Sequence, residues 1–256
     1  MKRLILALCL LFLTLSLAAQ GVVSVRVMSM NIKEGGQKAL YQVKPYADVI
    51  NEYRPDFVCL QEVDYRTTRN GGKDFLGELA EQTGMFPYFC QSFAYRGGGF
   101  GVAVLSKYPF YKARKQVAKI SGAREDRATG WVYVMLPGGK RIRVASTHLA
   151  LESDDITTQN IAQVNASIFE DKDTPTLLIG DFNCTPTSGP MDYARIKWQE
   201  IGAGSGFTIP SDKPNRQLDY VMGYPKKKWG CRSYKIVPRP DLSDHCFIVA
   251  DVEYEE

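Results

Sequence analysis

The run VVSVRVMSM, residues 22–30, alternates with period two, which predicts a first strand facing a core and ending at Asn31. Val43, Ala47 and Ile50 share one helical face, so a helix is expected from Lys44 to Tyr53 with Pro45 tolerated in its first turn. Arg54, Pro55 and Asp56 stop it, and FVCLQEV, 57–63, is a mostly apolar run that reads as a buried strand. After the polar loop TRNGGKD, the segment DFLGELAEQTG predicts a second helix ended by Gly84.

Three strand-like runs follow, around YFCQSFAY, FGVAVLSK and FYKARKQVA, with hairpin connections expected at the Gly-rich RGGG and at YP. GWVYVML and RIRVASTHL form a further hairpin across PGGK, whose glycines suit a tight turn. A polar amphipathic helix over about 155–170 leads to PTLLIGDFN, a short helix in SGPMDYARI, a strand in QLDYVM, and closing strands in KIV and HCFIVADVEY. Strands outnumber the helices, and no repeat or Pro/Ser linker interrupts them. The pattern predicts an α+β fold, two sheets packed face to face with helices outside, as one domain over residues 21–256.

Composition adds limits. At 256 residues and 45% hydrophobic content, a single layered domain buries enough surface to fold without metals or disulfides, so a metal site must be argued as chemistry. The first twenty residues, MKRLILALCLLFLTLSLAAQ, carry two cations, a short apolar run and small residues, the pattern of a signal peptide. A secreted or periplasmic protein is expected. Removing Lys2 and Arg3 takes the formal charge from +4 to +2, too little excess for extended wrapping by nucleic acid. The remaining Cys59, Cys90, Cys184, Cys231 and Cys246 are odd in number and form no CxxC, which argues against a disulfide scaffold. The apolar FVCL setting of Cys59 reads as a buried side chain.

The polar residues of interest fall where strands are expected to end: Asn31, then Gln61 and Glu62, then His148, then Asp181 and Asn183, with Asp244 and His245 opening the last strand. Strand termini gather along one rim of a layered sheet, so these positions can converge on one pocket. Taken singly, each has an ordinary structural explanation as a strand-end carboxylate, a turn residue or a cap. The set does not.

The ordered pieces MSMNI at 28–32, PDFVCLQEVD at 55–64, GVAVLSKYP at 101–109, STHLAL at 146–151, LLIGDFNCTP at 177–186, LDYV at 218–221 and SDHCFIVADV at 243–252 carry a resemblance. The sequence resembles the endonuclease/exonuclease/phosphatase (DNase I-like) superfamily across essentially all of the chain after the leader. The resemblance implies a four-layer α/β/β/α sandwich of two mostly antiparallel sheets flanked by helices. It also implies a metal-dependent phosphoesterase, most directly a phosphodiesterase, that uses metal- and Asp-activated water.

Carried over by position, the resemblance implies the following roles: Glu62 is the principal metal carboxylate with Asn31 beside it, and Asp244 is a further metal or water contact. Asp181 orients or deprotonates the attacking water, Asn183 holds a phosphate oxygen, and His245 contacts the phosphate with its ring fixed by Asp219. His148 is an oxyanion stabiliser or a proton donor to the leaving group, and Arg127 is placed to reach substrate.

Oxygen donors favour Mg²⁺ or Mn²⁺, and two lone histidines without paired cysteines argue against zinc. Lys33 stands where relatives often have a polar or acidic residue, and Asn160 where many have arginine. Lys226, Lys227 and Lys228 read as a solvated turn. The implied partner of this monomer is a phosphate ester, whether nucleic acid, phospholipid or small phosphodiester. A phosphomonoesterase for inositol-type phosphates and a non-catalytic binding module on the same fold are the alternatives.

Overall fold

The computed structural model describes residues 22–255, so the leader at 1–20 lies outside the described residues. The strands are β1 (Val22–Asn31), β2 (Phe57–Tyr65), β3 (Phe86–Tyr95), β4 (Gly98–Ser106), β5 (Phe110–Ala118), β6 (Arg127–Met135), β7 (Arg141–His148), β8 (Thr176–Asp181), β9 (Gln199–Ile201), β10 (Asp219–Tyr224), β11 (Trp229–Val237) and β12 (Phe247–Glu255). The longer helices are α1 (Lys44–Tyr53), α2 (Phe75–Thr83), α3 (Asp154–Ile168) and α4 (Gly189–Lys197).

Two six-stranded sheets result, ordered β11-β12-β1-β2-β4-β3 and β5-β6-β7-β8-β10-β9. All neighbours are antiparallel except β1 with β2 and β7 with β8. Those two parallel pairs are joined by the crossover helices α1 and α3, as parallel pairing requires.

Three apolar layers separate four layers of structure. Met28 and Met30 point from β1 toward Val49 and Ile50 of α1 and Leu79 of α2, while Val25 and Val27, of opposite parity, enter the space between the sheets with Val144 and Ile179. On the far side Ala145 and Leu178 meet Ile161, Val164 and Met191 of α3 and α4. The central strands are therefore apolar on both faces, whereas the alternation in β1 predicts only one buried face. The result is the four-layer α/β sandwich.

Local signals set several boundaries. The Asp74 carboxylate accepts the Gly77 N–H at 2.9 Å to start α2, and Gly84 at φ +67° ends it. Ser153 caps α3 in the same way through the Ile156 N–H.

Other expectations are corrected. Only β3–β4 is a hairpin in its region; the chain crosses at Tyr108-Pro109 and β5 pairs with β6 in the second sheet. The second strand runs on to Tyr65, with a register shift between Leu60 and Val63 that places Glu62 in a bulge. Asp244 and His245 lie before β12, not in it.

Cys59, Cys90, Cys184 and Cys246 are buried and Cys231 is exposed, all five as free thiols. Burial pushes the Cys90 thiol up to about 12. Within the described residues no helix is long and apolar enough to cross a membrane.

Across the first sheet, Arg26 of β1 donates from Nε and Nη2 to the two carboxylate oxygens of Asp251 on β12, at 2.7 and 3.1 Å, and Ser233 of β11 donates to the same group at 2.7 Å. These hydrogen bonds hold the Asp251 carboxyl below its ordinary value of 3.8. A depressed folded value means the contribution is complete above the unfolded value and is lost as pH falls through the folded one. Asp251→Asn is expected to remove that portion of acid sensitivity: its stability should fall less steeply than wild type below about pH 4, measured by urea unfolding across pH. An unchanged slope would assign the acid sensitivity to other carboxylates.

Candidate active site

Asn31 closes β1, and across the sheet pair His148, Asp181 and Asp219 stand side by side: His148 pairs with Asp181 in the β7–β8 ladder and Asp219 pairs with Asp181 in the β8–β10 ladder. Ser243 accepts the His245 N–H at 3.0 Å, turning the chain so that the ring faces this row. Glu62 arrives from β2 through its bulge at φ +60°, a conformation uncommon for a side-chain-bearing residue and one that re-aims the carboxylate.

The geometry centres on Asp181. Its Oδ2 accepts from Asn31 Nδ2 at 3.1 Å and lies 3.5 Å from His148 Nε2 and 3.6 Å from His245 Nε2, while its Oδ1 accepts the Asn183 N–H at 2.8 Å. The second nitrogen of His245 meets Asp219 Oδ2 at 2.8 Å, which fixes the ring. Asn31 Nδ2 also donates to Glu62 Oε1 at 3.1 Å, and the Glu34 N–H donates to Glu62 Oε2 at 2.8 Å. Beneath them Gln61 of one sheet donates to Ser146 of the other at 3.2 Å.

Burial and charge separate the titrating groups. Burial raises the Asp181 carboxyl to about 7, with the His245 charge opposing and Asp219 adding to the rise. For His245, burial pulls downward but the carboxylates of Asp219 and Asp181 outweigh it, and the ring is raised to about 10 and so charged. His148 is held well below 6.5 by burial and by the nearby Arg127, His245 and Lys33 charges, and so is neutral. The structure thus sets a cationic imidazole and a neutral one on either side of one carboxylate.

The nine residues given roles by the resemblance all lie in this arrangement or line the cavity over it. Arg127 is 6% exposed, and its Nη1 lies 3.4 Å from His148 Nε2. Asn183 lines the cavity at φ +52°, and its Nδ2 donates one of its two N–H groups to the Leu149 carbonyl at 2.8 Å, which fixes the amide at the cavity wall. Asn160 accepts the Ala150 N–H at 3.1 Å and pins the segment after His148, a structural use for the residue that stands in place of an arginine.

A cavity of about 390 Å³ opens over these groups. Its remaining walls include Lys33, Glu34, Arg69 and Tyr95, of which the sequence marked only Lys33, as a departure from relatives. Glu34, Arg69 and Tyr95 stand in separate loop and strand contexts with no shared spacing. No local signal joins them.

The donor set suits a hard cation. Lys33 Nζ lies 3.1 Å from Asp244 Oδ2; burial pulls its pKa down, but Glu62 and Asp244 outweigh this and hold the ammonium above lysine's ordinary value. Asp244 Oδ1 is buried with no hydrogen-bond partner. The charges of Glu62 and Asp244 thus already stabilise one cation, and the unpartnered Asp244 oxygen is a ligand atom that a divalent ion would use. Asp181, Asp219 and His245 also bring ligand atoms within 4.8 Å of one another, although the Asp219–His245 hydrogen bond already engages one atom of each.

A double sheet sandwich with a carboxylate and two imidazoles on its rim defines a hydrolase-like class. The chain matches the Endonuclease/Exonuclease/phosphatase family over residues 28–245 and belongs to it. Among solved structures it resembles an endonuclease/exonuclease/phosphatase from Bacteroides vulgatus, with 18% identity over 91% of this chain and 100% of that one and a TM-score of 0.77. It also resembles a mannosyl-6-phosphatase of Bacteroides thetaiotaomicron, with 14% identity over 89% and 99% and a TM-score of 0.73. The human Nocturnin catalytic domain with bound sulfate shares 18% identity over 91% and 96%, with a TM-score of 0.71.

Gly180, next to Asp181, has φ +146°, and a Cβ there would collide with the Thr147 carbonyl oxygen and lie 2.9 Å from Gln61 Nε2. Gly180→Ala is therefore expected to lower stability by roughly 2 kcal/mol or more. Urea unfolding measures this; a midpoint equal to wild type would show that the β7–β8 ladder can yield there.

Proposed function

We propose that the protein is a secreted or periplasmic, divalent-metal-dependent phosphoesterase that hydrolyses a small phosphodiester as a monomer, by direct attack of water. The observation that carries this reading is Asp181 Oδ2, shared among Asn31, His148 and His245 on the rim of a cavity. A carboxylate whose pKa lies near 7 is matched to accepting a proton from water at neutral pH.

The His245 imidazolium, oriented by Asp219, offers Nε2–H to a phosphoryl oxygen as negative charge builds. Neutral His148 suits hydrogen bonding to an oxyanion better than protonating a leaving group, because its proton affinity for a second proton is depressed. Arg127, whose Nη1 lies 3.4 Å from His148 Nε2, lines the same cavity and would add positive charge beside those oxygens. A divalent ion, Mg²⁺ or Mn²⁺, held by Glu62, Asn31 and Asp244, would supply neutralisation of phosphoryl charge and a lower barrier to attack.

The cavity's charges favour a diester. Lys33 is paired with Asp244, Arg69 with Asp64 and Glu34, and Arg127 with Glu125, so little fixed positive charge is in excess for a dianionic monoester. The likeness to a mannosyl-6-phosphatase favours the monoester as a second reading. The leader pattern at 1–20 supports export.

Bis-aryl and mono-aryl phosphates, assayed with Mg²⁺, Mn²⁺, Ca²⁺ or EDTA, test the reading. Turnover of the bis-aryl ester should exceed that of the mono-aryl ester and vanish in EDTA; full activity in EDTA would sink it. Asp181→Asn should cost about 10²–10⁴ in kcat with an unchanged unfolding midpoint. Loss of fold in that variant would indicate a structural carboxylate instead.

A further inference from the structure

The turn that serves Glu62 would not keep its shape unaided. Lys33 and Glu34 follow β1 at φ +50° and +46°, and Gly35 and Gly36 continue at +72° and +88°, so the whole turn stands in the left-handed region. Glu62, itself at φ +60°, accepts the Glu34 N–H there at 2.8 Å. Side-chain-bearing residues in this conformation cost free energy and persist only where their surroundings over-determine them. The restraint must come from outside the turn.

It comes from β2, just past Glu62. Asp64 is fully buried and accepts from Thr67 Oγ1, Arg69 Nε and Arg69 Nη2 at 2.8, 2.6 and 2.8 Å. The turn is pressed onto it so closely that a Cβ on Gly35 would lie 2.7 Å from the Asp64 side chain. Arg69 Nη1 reaches over to Glu34 Oε2 at 2.9 Å, while the same guanidinium rests 4.8 Å from the ring centre of Tyr95 and 5.6 Å from that of Phe100, both on the β3–β4 hairpin. The turn is gripped twice, at Gly35 by packing and at Glu34 by a charge-assisted hydrogen bond.

Arg69 lines the cavity, yet its Nε, Nη1 and Nη2 each donate to a carboxylate, and Glu34 and Asp64 share this one guanidinium. The trio is net negative and makes a poor anchor for phosphate. Its contacts lead to Glu62 instead. Of the two Glu62 oxygens, Oε1 is held by Asn31 Nδ2 at 3.1 Å and Oε2 by the Glu34 N–H, and Lys33 of the same turn sets its Nζ 3.1 Å from Asp244 Oδ2. A shift of the turn would disturb both carboxylates at once.

We propose that Asp64 and Arg69 are positioning residues that act through Glu34 to fix the Glu62 carboxylate for a divalent ion. This deepens the metal-dependent reading of the site and rests on it. Outer contacts that orient a metal ligand are typically worth about 10–100-fold in metal affinity. The left-handed turn is the means, since it aims a backbone N–H at Glu62 while the buried carboxylate and its guanidinium keep it there.

Mn²⁺ binding, measured by calorimetry with no substrate present, tests this in the wild type, Glu34→Ala, Glu34→Gln and Arg69→Gln. Glu34→Ala should weaken Mn²⁺ at least about tenfold with an unfolding midpoint near that of wild type, and Glu34→Gln, which keeps an oxygen for Arg69, should recover most of the loss. Equal losses in the two would overturn the proposal, since the Glu34 charge alone would then explain them.

Arg69→Gln sets the two explanations at opposite signs. Removing a cation beside the site should tighten Mn²⁺ by electrostatics alone, whereas loss of the brace should weaken it at least about tenfold. Tighter or unchanged binding would overturn the brace; where that variant does not fold, the Glu34 pair decides. A wild type that binds no Mn²⁺ would overturn it too. The expected pattern of Mn²⁺ affinities in a protein that hydrolyses neither aryl phosphate would defeat the phosphoesterase reading and leave the brace standing; hydrolysis with one Mn²⁺ affinity throughout would do the reverse.

Discussion

At the candidate site the two sheets meet chemically at one oxygen, Oδ2 of Asp181. Asn31 reaches it from the first sheet, His148 stands beside it on the second, and His245 approaches from the loop before β12. A buried carboxylate of this kind is tolerated only when donors surround it, so the site's geometry is also a condition on how the sheets pack. Gln61 and Ser146 repeat the link one layer deeper, where the Gln61 amide crosses from β2 to β7. Any slide of one sheet over the other breaks both connections together.

That placement also explains why two chemically identical rings behave differently. His245 has Asp219 behind it and Asp181 in front, while His148 has Arg127 on its flank and no second carboxylate of its own. Burial acts on both in the same direction; the neighbours decide the outcome. One ring is a fixed cation and the other a neutral donor, without any difference in residue type.

Much of this could be read from the chain. The bounds of α1 followed from apolar spacing around Val43, Ala47 and Ile50, and those of α2 from Asp74 and Gly84, because caps and amphipathic periods are local. The row of strand-end residues was legible for the same reason: His148 and Asp181 do terminate strands. What escaped was tertiary. β9 is three residues long, and β11 is an edge strand with exposed polar positions, so neither has an apolar period to find. The Glu62 bulge depends on the register of β4, and the meeting of Glu34 with Arg69 depends on two loops folding against Asp64. The hydrogen bond from the Asn183 amide to the Leu149 carbonyl likewise joins residues 34 apart and leaves no local signal.

The two parallel pairs carry a broader implication. β1-α1-β2 supplies Asn31 and Glu62, and β7-α3-β8 supplies His148 and Asp181, so each half of the chain owns one crossover unit and one pair of working groups. Neither pair is a site by itself. The molecule is arranged like a dimer written in a single polypeptide, its candidate site belonging to the seam between the two sheets, and neither crossover unit completes that site until the other has folded against it.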